Sequence, residues 1–457
     1  MSMLKVDLEL VKKYNVPGPR YTSYPPATHF TNEISPEVFV EQIQANNDAK
    51  RDLSLYFHLP FCYSLCWFCG CTTVITADQK KSGEYAKYLE KEMDLMKQYV
   101  DPRRKVVQLH FGGGTPTFSL PDEIRRLGEM IHSRFTFAPD IEAGVEADPR
   151  RLTRDHLVAL REVGFNRTSI GVQDNDPVVQ KAVHRIQPFE MTKQVVGWMR
   201  EVGFHSVNID LIYGLPYQTP SSFSKTLDET LSLQPDRFAI FNYAHVPWMK
   251  PAQKILKMEV LPTPETKLEI LKLTIERLTS QGYVYIGMDH FAKVGDELAV
   301  AQKEKTLQRN FQGYSTRGGS DIYAFGMSSI SQGQGIYWQN HKDIPEYYGA
   351  LNAGKLPVHR GYIMTVEDQI RRTTIMRLMC DLGLDYTAMS KLLNLDFAQH
   401  FAVEIESLDD MEADGLLVKT PYGFLVTDLG RLLIRNIAMR FDAYANSRKE
   451  NRFSRTI

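Results

Sequence analysis

The stretch HLPFCYSLCWFCGC, residues His58–Cys71, carries four of the chain's five cysteines: Cys62, Cys66, Cys69 and Cys71; the fifth, Cys380, stands apart. A disulfide knot, a zinc knuckle or an iron–sulfur cluster would each put thiols together in this way. The N-terminal run MSMLKVDLELVKKYNVPGPR mixes acids with bases and has no continuous apolar segment, so it reads as neither a signal nor a transit peptide. The expected location is therefore the cytoplasm, where thiols stay reduced, and a disulfide framework is a poor fit. A four-cysteine zinc site usually joins two knuckles from separate parts of a chain, and no second knuckle exists here. Cys62, Cys66 and Cys69, spaced Cys-x3-Cys-x2-Cys, can hold three irons of a cubane and leave the fourth open, as catalysis at a metal needs. A cluster is the reading preferred on spacing, with zinc as its alternative.

Outward from this loop, strand-like and helix-like segments alternate. LSLYFHL (Leu53–Leu59) is an alternating aromatic run and reads as a strand that ends where the cysteines begin. Further strands are expected at Val106–Phe111, Ile141–Ala147, Arg167–Gln173, Ser206–Gly214 and Arg237–His245. The segments EYAKYLEKEMDLMKQYV and PDEIRRLGEMIHSRF between them have helical apolar spacing. An internal echo supports repetition: LREVGFNRTSIGVQ from Leu160 and MREVGFHSVNIDLI from Met199, with a looser third copy, LTSQGYVYIGMDH, from Leu278. Strand–helix units of this kind predict an α/β fold, an incomplete (βα)6 parallel barrel short of the usual eight units. An open doubly wound sheet is the alternative, but no Gly-x-Gly-x-x-Gly opens the first unit. In a barrel the functional groups follow the strands on one face. That is where the cysteines, GGGTPT (Gly112–Thr117), VEADPR (Val145–Arg150), GVQ, IDLIYGLP and NYAH all fall.

The chain has 457 residues, 43% hydrophobic, enough for two or three domains. The expected segments are an N-terminal arm and helix over 1–50, the barrel with an extension over 51–345, and a small, mostly helical, winged-helix-like domain over 346–457. The net charge is −1 and no block of like charge stands out, nor is the C-terminal segment basic, so no nucleic-acid partner is expected. No apolar run is long enough to cross a membrane, so no membrane partner is expected either.

The cysteine spacing after a first strand, with Phe68 before the third cysteine, resembles the radical S-adenosylmethionine superfamily. Within it, CYSLCWFCGC, GGGTPT, VQDNDPVVQKAVHR, NIDLIYGLP and GMDHFA together resemble the oxygen-independent coproporphyrinogen III oxidase (dehydrogenase) family, as do GPRYTSYP (Gly18–Pro25) and the pair Gly70 and Cys71. The match runs from about Tyr14 to the end. The resemblance implies a [4Fe–4S] cluster on Cys62, Cys66 and Cys69, with Cys71 outside the ligand set. It implies two molecules of S-adenosylmethionine per turnover. Gly113 is expected at the first of these, with Gly114 and Thr115 near the second. Tyr56 and Phe68 are expected to pack on the cofactor, although each taken alone reads as ordinary core. Gln173, Arg185, Asp210 and Ala244 match positions that bind the second molecule. Arg185 otherwise reads as a surface arginine, whereas Asp210, an acid in a strand that looks buried, needs a partner or a ligand. Glu146, at a strand end, is expected to accept the ammonium or ribose hydroxyls of S-adenosylmethionine, the alternative being a salt bridge. The glycine run lets backbone approach a ligand, and its N–H groups are suited to carboxylate or amino-acid functions; the alternative is a tight turn. Phe311, Gln312 and Ile330 match residues that the family needs for activity, with loop anchoring and core packing as their alternatives. Asp289 and His290 form a pair of catalytic type to which no role is assigned.

The activity implied is anaerobic heme biosynthesis chemistry: oxidative decarboxylation of two propionates of coproporphyrinogen III to vinyls, giving protoporphyrinogen IX by way of a 5′-deoxyadenosyl radical. The substrate is anionic, and arginine binds carboxylates bidentately; Arg20 is the candidate. The resemblance also implies a monomer served by an electron donor and an acceptor, neither identified. The alternative is a related heme chaperone, which shares the barrel and cysteine motif and delivers heme; such chains are shorter, lack the arm and usually lack the equivalent of Cys71.

Overall fold

The computed structural model describes residues 6–48 and 50–445; residues 1–5 and 49 of the expected arm and 446–457 of the expected C-terminal domain lie outside them. Six strands follow one another with helices between them. They are β1 (Leu53–Leu59), β2 (Lys105–Gly113), β3 (Thr136–Ala147), β4 (Arg167–Gln173), β5 (Ser206–Tyr213) and β6 (Arg237–Asn242). Each is paired parallel to the next in chain order. The crossovers carry α1 (Lys80–Lys97), α2 (Pro121–His132), α3 (Arg154–Val163), α4 (Phe189–Glu201) and α5 (Pro220–Ser232). This is the strand order of a (βα)6 unit, and β1 and β4 run over the residues expected from sequence.

The two faces of the sheet differ, and the alternation along each strand decides which is which. Leu55, Phe57, Leu109, Phe111, Val145, Ile170, Val172, Ile209 and Leu211 are buried. With Leu89, Met93, Ile124, Leu127, Leu157 and Leu160 of the helices they form the core. The intervening positions are polar or glycine: Ser54, Tyr56 and His58; Gln108, His110 and Gly112; Glu142, Gly144 and Glu146; Ser169, Gly171 and Gln173; Asn208 and Asp210. They bond across the sheet in register, as where Ser54 Oγ donates to Gln108 Oε1 (2.8 Å) and Gln108 Nε2 to Glu142 Oε1 (2.9 Å). A parallel sheet packed on both faces by apolar side chains would have no room for such a row; this one keeps a polar face.

A strand not expected from sequence, β7 (Asp321–Phe325), adds parallel to the free edge of β1. The antiparallel strands β8 (Ile330–Gln332), β9 (Ile336–Asn340) and β10 (Val358–Ile363) continue from it. All five residues of β7 are buried, so it has no alternation to betray it.

The chain divides into two compact units, and they cut across the linear segments 1–50, 51–345 and 346–457. One comprises Phe30–Pro262 with Gly319–Ile363 and holds β1–β10; the other comprises the described residues up to His29, Thr263–Gly318 and those from Met364 on. In the second unit, helix Val366–Asp381, capped by Thr365, leads into strand Gly383–Asp385, helix Tyr386–Leu393 follows it, and that strand forms a three-stranded sheet with Gly423–Val426 and Leu417–Thr420, the elements of a winged helix. The arm is sewn to this part of the chain. Asn436 Nδ2 donates to Tyr14 O (2.7 Å), the buried Arg435 to Pro19 O (3.1 Å) and Gly18 O, and Tyr21 OH to Asp442 Oδ2 (3.0 Å). The third echo of the repeat is not a parallel unit. Tyr283–Gly287 pairs antiparallel with His290–Lys293, because two residues between strands leave room for a hairpin and none for a crossover helix.

Candidate active site

The cysteine loop hangs from the end of β1. Two residues after that strand, Phe61–Cys62 pairs with Val74–Ile75, and Val74 N–H donates to Pro60 O (2.8 Å), so the loop is closed at its base. It is pinned on other sides by Trp67 N–H to Val183 O (3.0 Å), His184 Nδ1 at 2.9 Å from Leu65 O, Gln253 Nε2 to Phe68 O (3.0 Å) and Lys250 Nζ to Cys71 O (2.9 Å). All four cysteines are free thiols; Cys66 is buried, Cys62 and Cys69 half-buried, and Cys71 exposed. Each of the first three sulfurs meets a different hydrogen-bonding group. Cys62 Sγ lies 3.3 Å from Thr115 Oγ1, and burial pushes its thiol up to about 11. Cys69 Sγ accepts the Cys71 N–H at 3.4 Å; hydrogen bonding from the Cys71 thiol first, and then from this N–H against the effect of burial, brings Cys69 down to about 6. Cys66 Sγ faces two guanidiniums, Arg150 Nη2 at 3.4 Å and Arg185 Nη1 at 3.5 Å.

Three free thiols on one closed loop, with N–H donors and cations turned toward sulfur, fit an anionic iron–sulfur cluster. Among the described residues no three His, Cys, Asp or Glu side chains are grouped as the ligands of a single ion would be. A cubane holds its thiolates apart across its own body.

The glycine run owes its composition to the turn. The N–H of Gly113 donates to the Glu146 carboxylate, at Oε2 (3.2 Å), while those of Gly114 and Thr115 go to backbone, Leu59 O (2.9 Å) and Phe61 O (2.9 Å). A Cβ on Gly114 would stand 2.4 Å from Pro60 O, and Gly113 has φ +110° beside the His58 ring. Gly112 makes room for Glu146, whose Oε1 would lie 2.8 Å from a Cβ there. Glu146 stands at the end of β3 with 44% of its side chain exposed, Oε1 at 3.3 Å from His110 Nε2. Burial acts to raise its carboxyl, but the bond and charge of His110 and the Gly113 N–H outweigh it and hold the group below the usual range. Tyr56 stacks on His110 (5.9 Å between centroids) with its hydroxyl 3.2 Å from His58 Nδ1. Burial lowers the His58 pKa, so that imidazole is neutral.

Gln173, Arg185, Asp210 and Ala244 belong to the same end of the sheet. Gln173 closes β4 with φ +68°. Arg185 is no surface arginine: it is buried, bonds Gly171 O (2.5 Å) and pairs with Asp148 Oδ2 (3.1 Å), which also takes Arg150 Nη2 (2.6 Å). Burial would raise Asp148, yet the charge of Arg185 and then the bonds and charge of Arg150 bring it down to about 2. Asp210 accepts from Ser169 Oγ (2.8 Å) and Asn208 Nδ2 (2.7 Å), and burial pushes its carboxyl up to about 7. Ala244 is exposed just beyond β6. Phe68 packs on the apolar cluster of Val179, Val183, Leu215, Tyr243 and Leu256. Ile330 opens β8 opposite Gln339. Phe311 and Gln312 belong to the other unit, at the turn between Gln308–Asn310 and Gly313–Ser315, where Gln312 N–H donates to Asn310 Oδ1 (2.9 Å). There too Arg20, expected to meet a substrate carboxylate, is paired with Asp289; two separate candidates are partners. Sequence reasoning missed Asp148, Arg150, His110, Ser169 and Asn208. Strand alternation marks the last three as neighbours of Tyr56, Glu146 and Asp210, and the first and second lie within VEADPR.

A family profile described as the Radical SAM superfamily matches residues 56–230, and one described as the HemN C-terminal domain matches 364–433. The oxygen-independent coproporphyrinogen III oxidase of Synechocystis sp. is 47% identical over 98% of this chain and 97% of its own. That of Escherichia coli (strain K12) is 45% identical over 99% and 98%. The solved structure described as coproporphyrinogen III oxidase (HemN) from Escherichia coli, a radical SAM enzyme, superposes with a TM-score of 0.92 at 44% identity, covering 97% of this chain and all of that one. With the thiol loop at the end of β1 and a match over nearly its whole length, the chain belongs to the oxygen-independent coproporphyrinogen III oxidase family of the radical SAM superfamily.

Proposed function

We propose that the protein converts two propionates of coproporphyrinogen III to vinyls without oxygen, giving protoporphyrinogen IX in heme synthesis. The observation that carries this is the closed loop of three free thiols, with Arg150 and Arg185 on the Cys66 sulfur, set at the ends of parallel strands whose polar face leads to Glu146. Cys62, Cys66 and Cys69 would hold the [4Fe–4S] cluster, which together with S-adenosylmethionine would supply the carbon radical that takes a hydrogen atom from each propionate β-carbon. The propionate then loses CO2 and passes one electron to an acceptor. Two propionates react, so two molecules of S-adenosylmethionine are used.

The chain's own groups bind and orient. Glu146, ionised and fixed by His110 and Gly113, is suited to an ammonium or to ribose hydroxyls. Tyr56 flanks it. Gly113, Gly114 and Thr115 shape the wall and bring it close to the loop. Gln173, Arg185, Asp210 and Ala244 serve the second molecule; Asp210 sits near its midpoint at neutral pH, so it either donates or accepts there. Phe311, Gln312 and Ile330 are assigned to the substrate step. No helix among the described residues is long and apolar enough to cross a membrane, and we place the enzyme in the cytoplasm as a monomer served by a separate electron donor and acceptor.

The test is anaerobic reconstitution with iron and sulfide, reduction, and incubation with S-adenosylmethionine and coproporphyrinogen III, followed by chromatography of the oxidised porphyrins. Protoporphyrin forms with the native chain and vanishes with Cys66→Ser. No product, together with stable heme retention by the purified protein, would transfer the chain to the heme-carrier reading.

A further inference from the structure

Arg150 and Arg185 converge on one sulfur. They share one counterion, Asp148, whose Oδ2 takes Arg150 Nη2 at 2.6 Å and Arg185 Nη1 at 3.1 Å. One carboxylate offsets only one of the two positive charges. Both guanidiniums also turn an N–H to the Cys66 sulfur, at 3.4 and 3.5 Å. The site is built to hold them there. Arg185 and Asp148 have side chains only 8% and 15% exposed. Arg185 is tied to Gly171 O, and Arg150 Nη1 is tied to Ser64 Oγ at 3.3 Å. Among the described residues the other two ligand sulfurs meet no such charge in hydrogen-bonding contact: Cys62 has the Thr115 hydroxyl and Cys69 the Cys71 N–H.

We propose that Arg150 and Arg185 act through Cys66 to set the reduction potential of the cluster, holding it above the value that the three thiolates alone would give. The inference rests on the cluster reading above. Reduction adds one electron to the cluster and so raises the negative charge on its ligand sulfurs. A donor bond to sulfur strengthens as that charge grows, more so when the donor is cationic and shielded from water. The two N–H groups therefore stabilise the reduced state more than the oxidised one. Asp148 tempers this field and keeps both forks aimed. Arg150 and Arg185 are positioning residues in this role.

The test reads the potential directly, without S-adenosylmethionine or substrate. Native chain, Arg150→Met and Arg185→Met are reconstituted, and iron and acid-labile sulfide are counted. Each is then titrated with dithionite against mediator dyes while the reduced cluster is followed by electron paramagnetic resonance. The midpoint is expected to fall in each variant and further in the double variant. Arg151→Met is the control: Arg151 is exposed and lies over the Tyr63 ring at 4.3 Å, with no sulfur contact, so its midpoint stays at the native value. Arginine variants that load fully and keep the native midpoint overturn the proposal. If the methionine variants load poorly, Arg150→Lys and Arg185→Lys, which keep the charge and lose the fork, take their place; a midpoint below native supports the proposal and an unchanged one overturns it. A native chain that takes up no cluster fails the underlying reading instead, and the iron count separates the two outcomes.

Discussion

Asp210 is the residue at which burial and chemistry conflict most plainly. Its partners, Ser169 and Asn208, are neutral, and burial, with the negative charge of Glu146 adding to it, outweighs them and Arg185 to push the carboxyl to about 7. The unfolded chain releases that proton at about pH 4. Between those values the folded chain binds more protons than the unfolded one, so this group's contribution to stability falls as pH rises and the cost is complete above about pH 7. Asp210→Asn removes that cost. Its unfolding free energy from urea titration should exceed the native one at pH 8, by an amount on the order of 2 kcal/mol after allowing for partial exposure, and the gap should close toward pH 4. A native value higher at pH 8 would mean that the carboxylate is better satisfied than its neutral partners suggest. Sequence marked Asp210 as an acid in need of a partner, but could not say that the partners would be a serine and an asparagine one strand over and two residues back. Phe68, expected on the cofactor from its place before Cys69, is a half-buried ring packed against Val179, Val183, Leu215, Tyr243 and Leu256.

At the scale of elements, the turn after β2 and the helix α4 make opposite predictions for one change. Gly114→Ala would bring a methyl within 2.4 Å of Pro60 O and force the cysteine loop off its base; iron loading should be lost while far-ultraviolet dichroism keeps the native helix content. Gly197 is exposed within α4 (Phe189–Glu201), where a Cβ meets nothing within 4 Å. Gly197→Ala should raise the unfolding free energy, read by urea titration, by about 0.5–1 kcal/mol, with loading unchanged. If both variants load equally, the turn is less constrained than its geometry states. The strands whose residue types alternate, β1 and β4 above all, were legible almost to the residue because apolar side chains on one face trade places with polar or glycine positions on the other. The fully buried β7 and the hairpin at Tyr283–Lys293 were not, since the first has no period and the second differs from a parallel unit only in the length of its connection.

The whole molecule is assembled less linearly than its sequence reads. Arg435 and Asn436 bond the backbone of the arm across more than four hundred residues of chain, a pairing that no local pattern announces. The order of motifs pointed to the family; the division into units, the pairing of Arg20 with Asp289 and the convergence of Arg150 and Arg185 on Cys66 needed coordinates. The proposed reaction spends one radical event on each propionate. The most direct measurement is the amount of 5′-deoxyadenosine released per protoporphyrinogen IX formed, with excess reductant, coproporphyrinogen III and S-adenosylmethionine in the absence of oxygen. The expected ratio is two to one, with none of either product from Cys66→Ser. A ratio of one to one, or protoporphyrinogen IX formed without S-adenosylmethionine, would contradict it.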